Sequence, residues 1–492
     1  MVRMLRIVLF AVVLAAVGWW LFADTVRHHG IGREKRALRI SYWGDYVPYL
    51  MWQEMFETFE AEHPDILIEQ LYITDRYESK IQQLMVAGSA PDVIVFQDET
   101  FPNFVDAGQF ADLTSFLDTP GYGIDLDDFY DTAVKTFGRY EGTRENRRWH
   151  TYGIPQEGGC NMLYYNRDCF RRSGIRLGEL PGPEGLVNDP DGDGWILDGN
   201  RWTLDEFVRI CHMLTRDFDG DGRIDQWGFS LPEGADWLPF HWTMGARVLD
   251  PSLRNLAFMG PECEASLALM QDLRYRHKVS PAPADLGSMA GVAFYTGSVA
   301  MATTGPWGMH GISKANVDFG ILHFPRGSPG GYRATRVSWS TYAIHSESRM
   351  KEDAWKLIHH LLGPACQEIM ARYQRNWPAR RSTVPVFLQF SPTPDAEKFG
   401  AAIEEYGRLQ PITMHWALMS RDLDLAIEGL LHPDPKSRLT PGEAIGLYLS
   451  ADRVTEVFPP VDPVAAERYR EIYRQRGKVR RTVAEARVEA SR

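Results

Sequence analysis

Ser298-Val-Ala-Met-Ala-Thr-Thr-Gly-Pro-Trp-Gly-Met-His-Gly311 joins a short apolar run to a glycine–proline turn. Val299–Ala302 reads as a strand covered on both faces, the pattern of a buried parallel sheet. Gly305, Pro306 and Gly308 end that strand and hold the backbone open around Trp307. An indole fixed at a strand end is a flat apolar plate with one N–H donor. It suits a guest with an apolar face and a polar rim, which is the shape of a sugar. The same ring would serve equally as a cap on a core. The stretch alone leaves both readings open, and the segments around it decide.

Upstream, Leu38–Trp43 alternates as a strand, with Leu38, Ile40 and Tyr42 on one face, and Gly44-Asp45 breaks it. Trp52, Met55, Phe56 and Phe59 recur at helical spacing. Ile66–Ile73 is a second strand, Tyr77–Val86 a second helix and Val93–Phe96 a third strand. Strands alternating with helices predict βαβ units, a parallel sheet and an α/β fold. In such sheets ligands sit beyond the carboxyl ends of strands. Trp43, Asp45, Asp98 and Glu99 fall at such ends.

Tyr152–Glu157 leads into a strand, Asn161–Asn166, and a crossover between lobes is placed near it. Val317–Phe324 and Val337–Ile344 are further strands, the latter bearing Trp339. Gly327–Gly331 reads as a turn suited to a hinge. Asn376–Arg381 is extended and carries Arg380 and Arg381, and Trp416 opens another helix. The expected division is an N-terminal anchor and linker (1–36), lobe 1 (37–149 and 335–385), lobe 2 (150–334 and 386–460) and a charged tail (461–492). The Arg-rich tail reads as a solvated helix or a partly disordered end.

The chain of 492 residues is long enough for two or more lobes, each with its own core. A formal net charge of −12 argues against nucleic acid as a partner. Five cysteines form no CxxC pair, so zinc ribbons and thioredoxin-type redox motifs are excluded. An odd count leaves either one pair, Cys160 with Cys169, or free buried thiols. At the start, Arg3 and Arg6 precede the uncharged run Ile7–Ala23, which ends near Trp19 and Trp20. With no convincing small-x-small cleavage site, this reads as an uncleaved signal-anchor, putting the remainder outside the cytoplasm.

Asn188–Gly228 holds two aspartate–glycine loops. In the second, Asp217, Asp219 and Asp221 alternate, Gly222 stands sixth, Arg223 offers its carbonyl seventh and Asp225 stands ninth. That is the order of an EF-hand calcium loop, although the twelfth position is Gly228 rather than a bidentate Glu. The first loop, Asp189, Asp191, Asp193 and Trp195, starts the same way but has Leu197 ninth. Between them Thr203 and Glu206 make a capping box ahead of an apolar face of Leu204, Phe207, Val208 and Cys211. A loop–helix–loop order points to a structural calcium rather than a switch. The bland alternative is a pair of solvated turns.

Taken together, His63–Asp65, Ala87–Val93, Tyr152–Pro155, Tyr164–Asp168, Thr203–Phe207, Gly297–Met301 with Gly305–Gly308, and Ala354-Trp355 resemble the family 1 extracellular solute-binding proteins. These are sugar-binding components of bacterial ATP-driven importers. The resemblance covers residues 38 to 456. It implies a two-lobed periplasmic-binding-protein fold of type II, with discontinuous lobes joined by a hinge. It implies a monomer that hands a carbohydrate to ABC permease subunits. It also implies that Asp45, Asp98 and Glu157 contact sugar hydroxyls and that Trp307 and Trp416 stack on sugar rings. Trp43, Glu99, Trp339 and Arg380 complete the expected ligand set. Two other readings stand beside it. One is a glycosidase using Asp98, Glu99 and Glu157; the other is an anion binder using Arg380 and Arg381. No Ser-His-Asp elbow, HExxH motif or phosphate loop is present.

Overall fold

The computed structural model describes residues 35–490 apart from 45, 121, 144, 181, 191, 193, 233, 412 and 414. The expected anchor Ile7–Ala23, the candidate ligand contact Asp45 and the loop residues Asp191 and Asp193 lie outside the described residues. Among the described residues no helix is long and apolar enough to cross a membrane.

The first sheet runs in the order Trp377–Pro378, Ile154–Cys160, Thr335–Ile344, Val93–Gln97, Arg36–Trp43, Ile66–Ile73. Gly407–Leu409 pairs with Thr335–Ile344 off that path. Arg36–Trp43 is parallel to both Ile66–Ile73 and Val93–Gln97, as the βαβ pattern predicts. Thr335–Ile344 enters antiparallel to Val93–Gln97 and to Ile154–Cys160. The sheet is therefore mixed rather than wholly parallel. Local βαβ units fix only its first three strands, because the chain returns from the second lobe running the other way. Helix Tyr46–Glu62 covers one face, with Trp52 stacked on Phe56 at 5.4 Å and 4.9 Å from Tyr42.

The second sheet has the order Trp227–Phe229, Val299–Thr304, Met162–Asn166, Phe319–Leu322. Val299–Thr304 lies parallel to the first of these and antiparallel to Met162–Asn166. Val299, Ala300 and Met301 are fully buried, as their uninterrupted apolar character predicts. Helix Leu204–Leu214 begins with the expected capping box and buries Leu204, Phe207, Ile210, Cys211 and Leu214 against this sheet's core.

Among the described residues the chain passes between the sheets three times: at 160–162, at 334–335, and between 409 and 416. The first crossing thus falls later than the expected boundary near 150, because Ile154–Cys160 is paired into the first sheet. The third falls later than 385. Phe387 and Phe399 pack on Trp377 at 5.3 and 5.9 Å, which keeps residues 387–403 in the first core. The terminal helix Pro463–Ala490 seats Ala466 and Tyr469 in the second core, and Tyr469 donates a hydrogen bond to Glu264 at 2.5 Å. All five cysteines are free and buried.

Candidate functional site

A cleft of about 340 Å³ lies between the two sheets, at the carboxyl ends of Arg36–Trp43 and Val93–Gln97. Trp43, Gln97, Glu99, Gly158, Ser338, Trp339 and Ser340 line it from the first sheet and its connections. Arg336, Arg375 and Asn376 line it as well, and Asp236 and Trp307 come from the second lobe.

Trp307 is 40 % exposed, more than Trp43 and Trp339, the other tryptophans of the cleft. It stands on the turn Pro306–Gly308, directly after the strand that carries it. The Tyr164 hydroxyl donates to the Gly305 carbonyl at 2.8 Å and holds the turn down. A Cβ at Gly305 would run into the indole, so the ring itself demands glycine there. Gly159 has φ +140°, and a Cβ on it would strike Pro306; only glycine lets this strand pass beside the turn. Trp43 is half-buried, its ring 5.0 Å from Tyr77 and 6.0 Å from the Arg375 guanidinium. Each lobe therefore offers one accessible indole.

The other expected residues are placed differently. Trp339 touches the cleft, yet it is 1 % exposed, stacked on Tyr130 at 5.6 Å with its N–H donated to Thr132 at 3.2 Å. It is wall rather than platform. Trp416 is 1 % exposed and lies in the second core. It opens helix Trp416–Leu430, whose buried face runs Trp416, Met419, Leu423, Ala426, Leu430. That 3–4 spacing is a core stripe, and it draws the indole inward. Arg380 is held outside the cleft by Asp128 at 2.9 Å and the Leu362 carbonyl at 2.6 Å. Arg381 is engaged by Glu404 at 3.3 Å and the Phe129 carbonyl.

The carboxylates divide in the same way. Glu99 and Asp236 line the cleft and both face Arg336, at 3.5 and 3.0 Å. Asp98 is buried behind them; one oxygen accepts the Ser338 hydroxyl at 3.0 Å and the other the Trp339 backbone N–H at 3.2 Å. Burial, and next the charge of Glu99, push the Asp98 carboxyl up to about 7, against the pull of Arg336 and the two hydrogen bonds. Glu157 is also buried, with Oε1 accepting from Asn376 at 2.9 Å and facing Arg375 at 3.4 Å.

Several polar atoms near Arg336 and Arg375 are buried without a protein partner among the described residues: Glu157 Oε2, Asn376 Oδ1, Asn161 Nδ2 and Gln410 Nε2. Each costs about 1–3 kcal/mol if left bare. The lining charges, Glu99 and Asp236 against Arg336 and Arg375, balance. A neutral guest fits that balance better than an ion.

Sequence reasoning missed Arg336, Arg375, Asp236 and the serines. Arg336 had a local signal: it is the one charged residue in a strand otherwise made of apolar, serine and threonine residues. In the Arg375–Arg381 segment it is Arg375 that turns into the cleft rather than Arg380 or Arg381, because adjacency in sequence does not tell which side chain turns inward.

In the second Asp-rich loop, carboxylate oxygens of Asp217, Asp219 and Asp225 lie within 4.8 Å of one another. Asp217 accepts the N–H groups of Gly220 and Gly222 at 2.7 and 2.9 Å, which holds its carboxyl below the usual range. Gly220 and Gly222 take φ +76° and +86°, the sharp turn expected of this loop. Asp221 is outside the three-carboxylate group and accepts from the Arg223 N–H. In the first loop Asp189 is paired bidentately with Arg176 at 2.5 and 3.0 Å, and Trp195 lies under the Arg209 guanidinium.

The sequence pattern of one family, described as bacterial extracellular solute-binding protein, matches residues 45–368. A Brucella abortus (strain 2308) protein named as a candidate binding protein is 22% identical over 367 residues, 72% of this chain and 75% of its own. Among solved structures, the ABC substrate-binding protein of Listeria monocytogenes in complex with cycloalternan superposes with a TM-score of 0.70 at 22% identity, over 86% of this chain and 99% of that one. The maltose/maltodextrin-binding domain MalE of Bdellovibrio bacteriovorus bound to maltotriose gives 0.64 at 21% identity, over 84% and 97%. At such identities the structural likeness is one of fold.

Proposed function

The chain belongs to the bacterial extracellular solute-binding proteins, and from that premise we propose that it captures a neutral sugar or oligosaccharide between its lobes. One observation carries this reading: a charge-balanced cleft between two cores, with one accessible indole from each lobe and charged, amide and hydroxyl side chains in its lining. Trp43 and Trp307 would cover the C–H faces of a sugar ring. Glu99, Asp236, Asn376 and the two arginines would exchange hydrogen bonds with its hydroxyls, the charged ones being stronger. Lobe closure around the guest would present a form that ABC permease subunits accept, the chain acting as a monomer outside the cytoplasm. A tether through Ile7–Ala23 belongs to the same reading, and membrane fractionation with and without that segment tests it.

The other readings fit less well. The two carboxylates that line the cleft are both ion-paired to Arg336, an arrangement for binding rather than for proton donation to a glycosidic oxygen. Arg380 and Arg381 are spent on Asp128 and Glu404, away from the cleft. Calorimetric titration with neutral mono-, di- and trisaccharides and with a phosphorylated polyol separates the three. Saturable binding of a neutral saccharide with no product released is the expected result. Turnover, or tighter binding of the phosphate ester, would overturn it.

Asp217, Asp219 and Asp225 would hold a structural calcium ion, with Arg223 supplying a carbonyl. The lack of a bidentate twelfth ligand places the affinity at the weak end, about 0.1–1 mM. Calcium at 5 mM is expected to raise the unfolding midpoint of the wild type and not that of Asp217→Asn. Equal shifts in both, or none in the wild type, would count against the site.

A further inference from the structure

The Arg336 side chain reaches every part of the hinge at once. Its Nε donates to Asn161 Oδ1 at 3.2 Å, and Asn161 is the residue between Ile154–Cys160 and Met162–Asn166, at the first crossing. Its Nη1 donates to Gln410 Oε1 at 3.2 Å, in the third crossing, and to Glu99 at 3.5 Å. Its Nη2 donates to Asp236 of the second lobe at 3.0 Å. Arg336 itself stands at the end of the second crossing, where its carbonyl accepts the Asn161 N–H at 3.0 Å. The side chain is 10 % exposed, so bulk salt screens these contacts little.

We propose that Arg336 is the positioning residue that couples occupation of the cleft to the angle between the lobes; the ligand part of this rests on the reading given under Proposed function. One planar guanidinium ties together all three crossings and one carboxylate from each side of the cleft. Among the described residues four of its five N–H groups are committed, and the fifth, on Nη2, remains for a solute hydroxyl in the cleft. The acceptor amides are oriented for the cation at a cost. With their oxygens turned to Arg336, Asn161 Nδ2 and Gln410 Nε2 are left without protein partners among the described residues. A lysine offers the charge but not the fork that meets four acceptors in one plane.

The test is small-angle scattering on the full chain, wild type and Arg336→Gln, free and with the saccharide that the wild type binds most tightly. Circular dichroism serves as the folding control. The free variant is expected to have a larger radius of gyration than the wild type and to lose the compaction that saccharide produces. Its affinity is expected to fall about thirtyfold or more, in the range found when a buried charge pair loses one member, and Arg336→Lys to recover only part of this. Scattering identical to wild type in both states would overturn the proposal, because a merely local ion pair would leave the lobe angle alone. Should no saccharide bind even the wild type, the functional reading fails, while the free-protein comparison still decides the role of Arg336. Should Arg336→Gln not fold, Asp236→Asn, which cuts only the link to the second lobe, is read the same way.

Discussion

Trp307 and Trp416 carry the same expectation from sequence and end in opposite environments. Trp307 sits on a three-residue turn bounded by glycines and stands in the cleft. Trp416 begins a 15-residue helix and is pulled into the second core by the stripe it starts. The difference teaches that a ring becomes a platform where the backbone stops abruptly beneath it. Where a ring continues a helical apolar period, packing claims it. A tryptophan is thus read from its neighbours at i±3 and i±4 before it is read as a ligand contact.

The contrast can be pressed from both sides. Trp416→Ala empties a filled site in the core and is expected to destabilise the fold by about 3–5 kcal/mol. Denaturant unfolding measures it, and a loss under about 1 kcal/mol would put Trp416 back among the surface rings. Gly305→Ala is expected to displace the Trp307 indole and weaken saccharide binding by about tenfold, with stability changed by less than about 1 kcal/mol. Unaltered affinity would mean that the turn does not set the ring.

A smaller effect is expected behind the cleft. Asp98 loses its proton at about 7 in the fold against an ordinary 3.8. Between those values the unfolded chain has released the proton and the folded chain retains it, so this group's contribution to stability falls as pH rises through that window. Asp98→Asn should therefore flatten the decline in unfolding midpoint between pH 5 and about 7.5, by a few degrees. Parallel curves for the two proteins would place the Asp98 titration elsewhere.

Much of the framework was legible from periodicity. Ile66–Ile73 and Tyr77–Val86 form over the expected residues, and the Thr203–Glu206 capping box closes as the spacing predicts. These are local signals, set within a few residues of themselves. The positions of the crossings were not local. Ile154–Cys160 belongs to the first sheet because Thr335–Ile344, some 180 residues later, pairs with it. The same distance hid Arg336, whose partners Glu99, Asn161, Asp236 and Gln410 are scattered along the chain. Asp98 was legible as a carboxylate at a strand end but not as a buried one. Its burial depends on Ser338 and Trp339 arriving from the neighbouring strand.

The most direct measurement is a paired titration of wild type and Trp307→Ala with the saccharide that the wild type binds. If the exposed indole is half of a clamp between two lobes, affinity drops about tenfold to a hundredfold while the unfolding curve stays put. Equal affinities in the two proteins would remove Trp307 from the site, and with it the claim that the solute lies between the sheets.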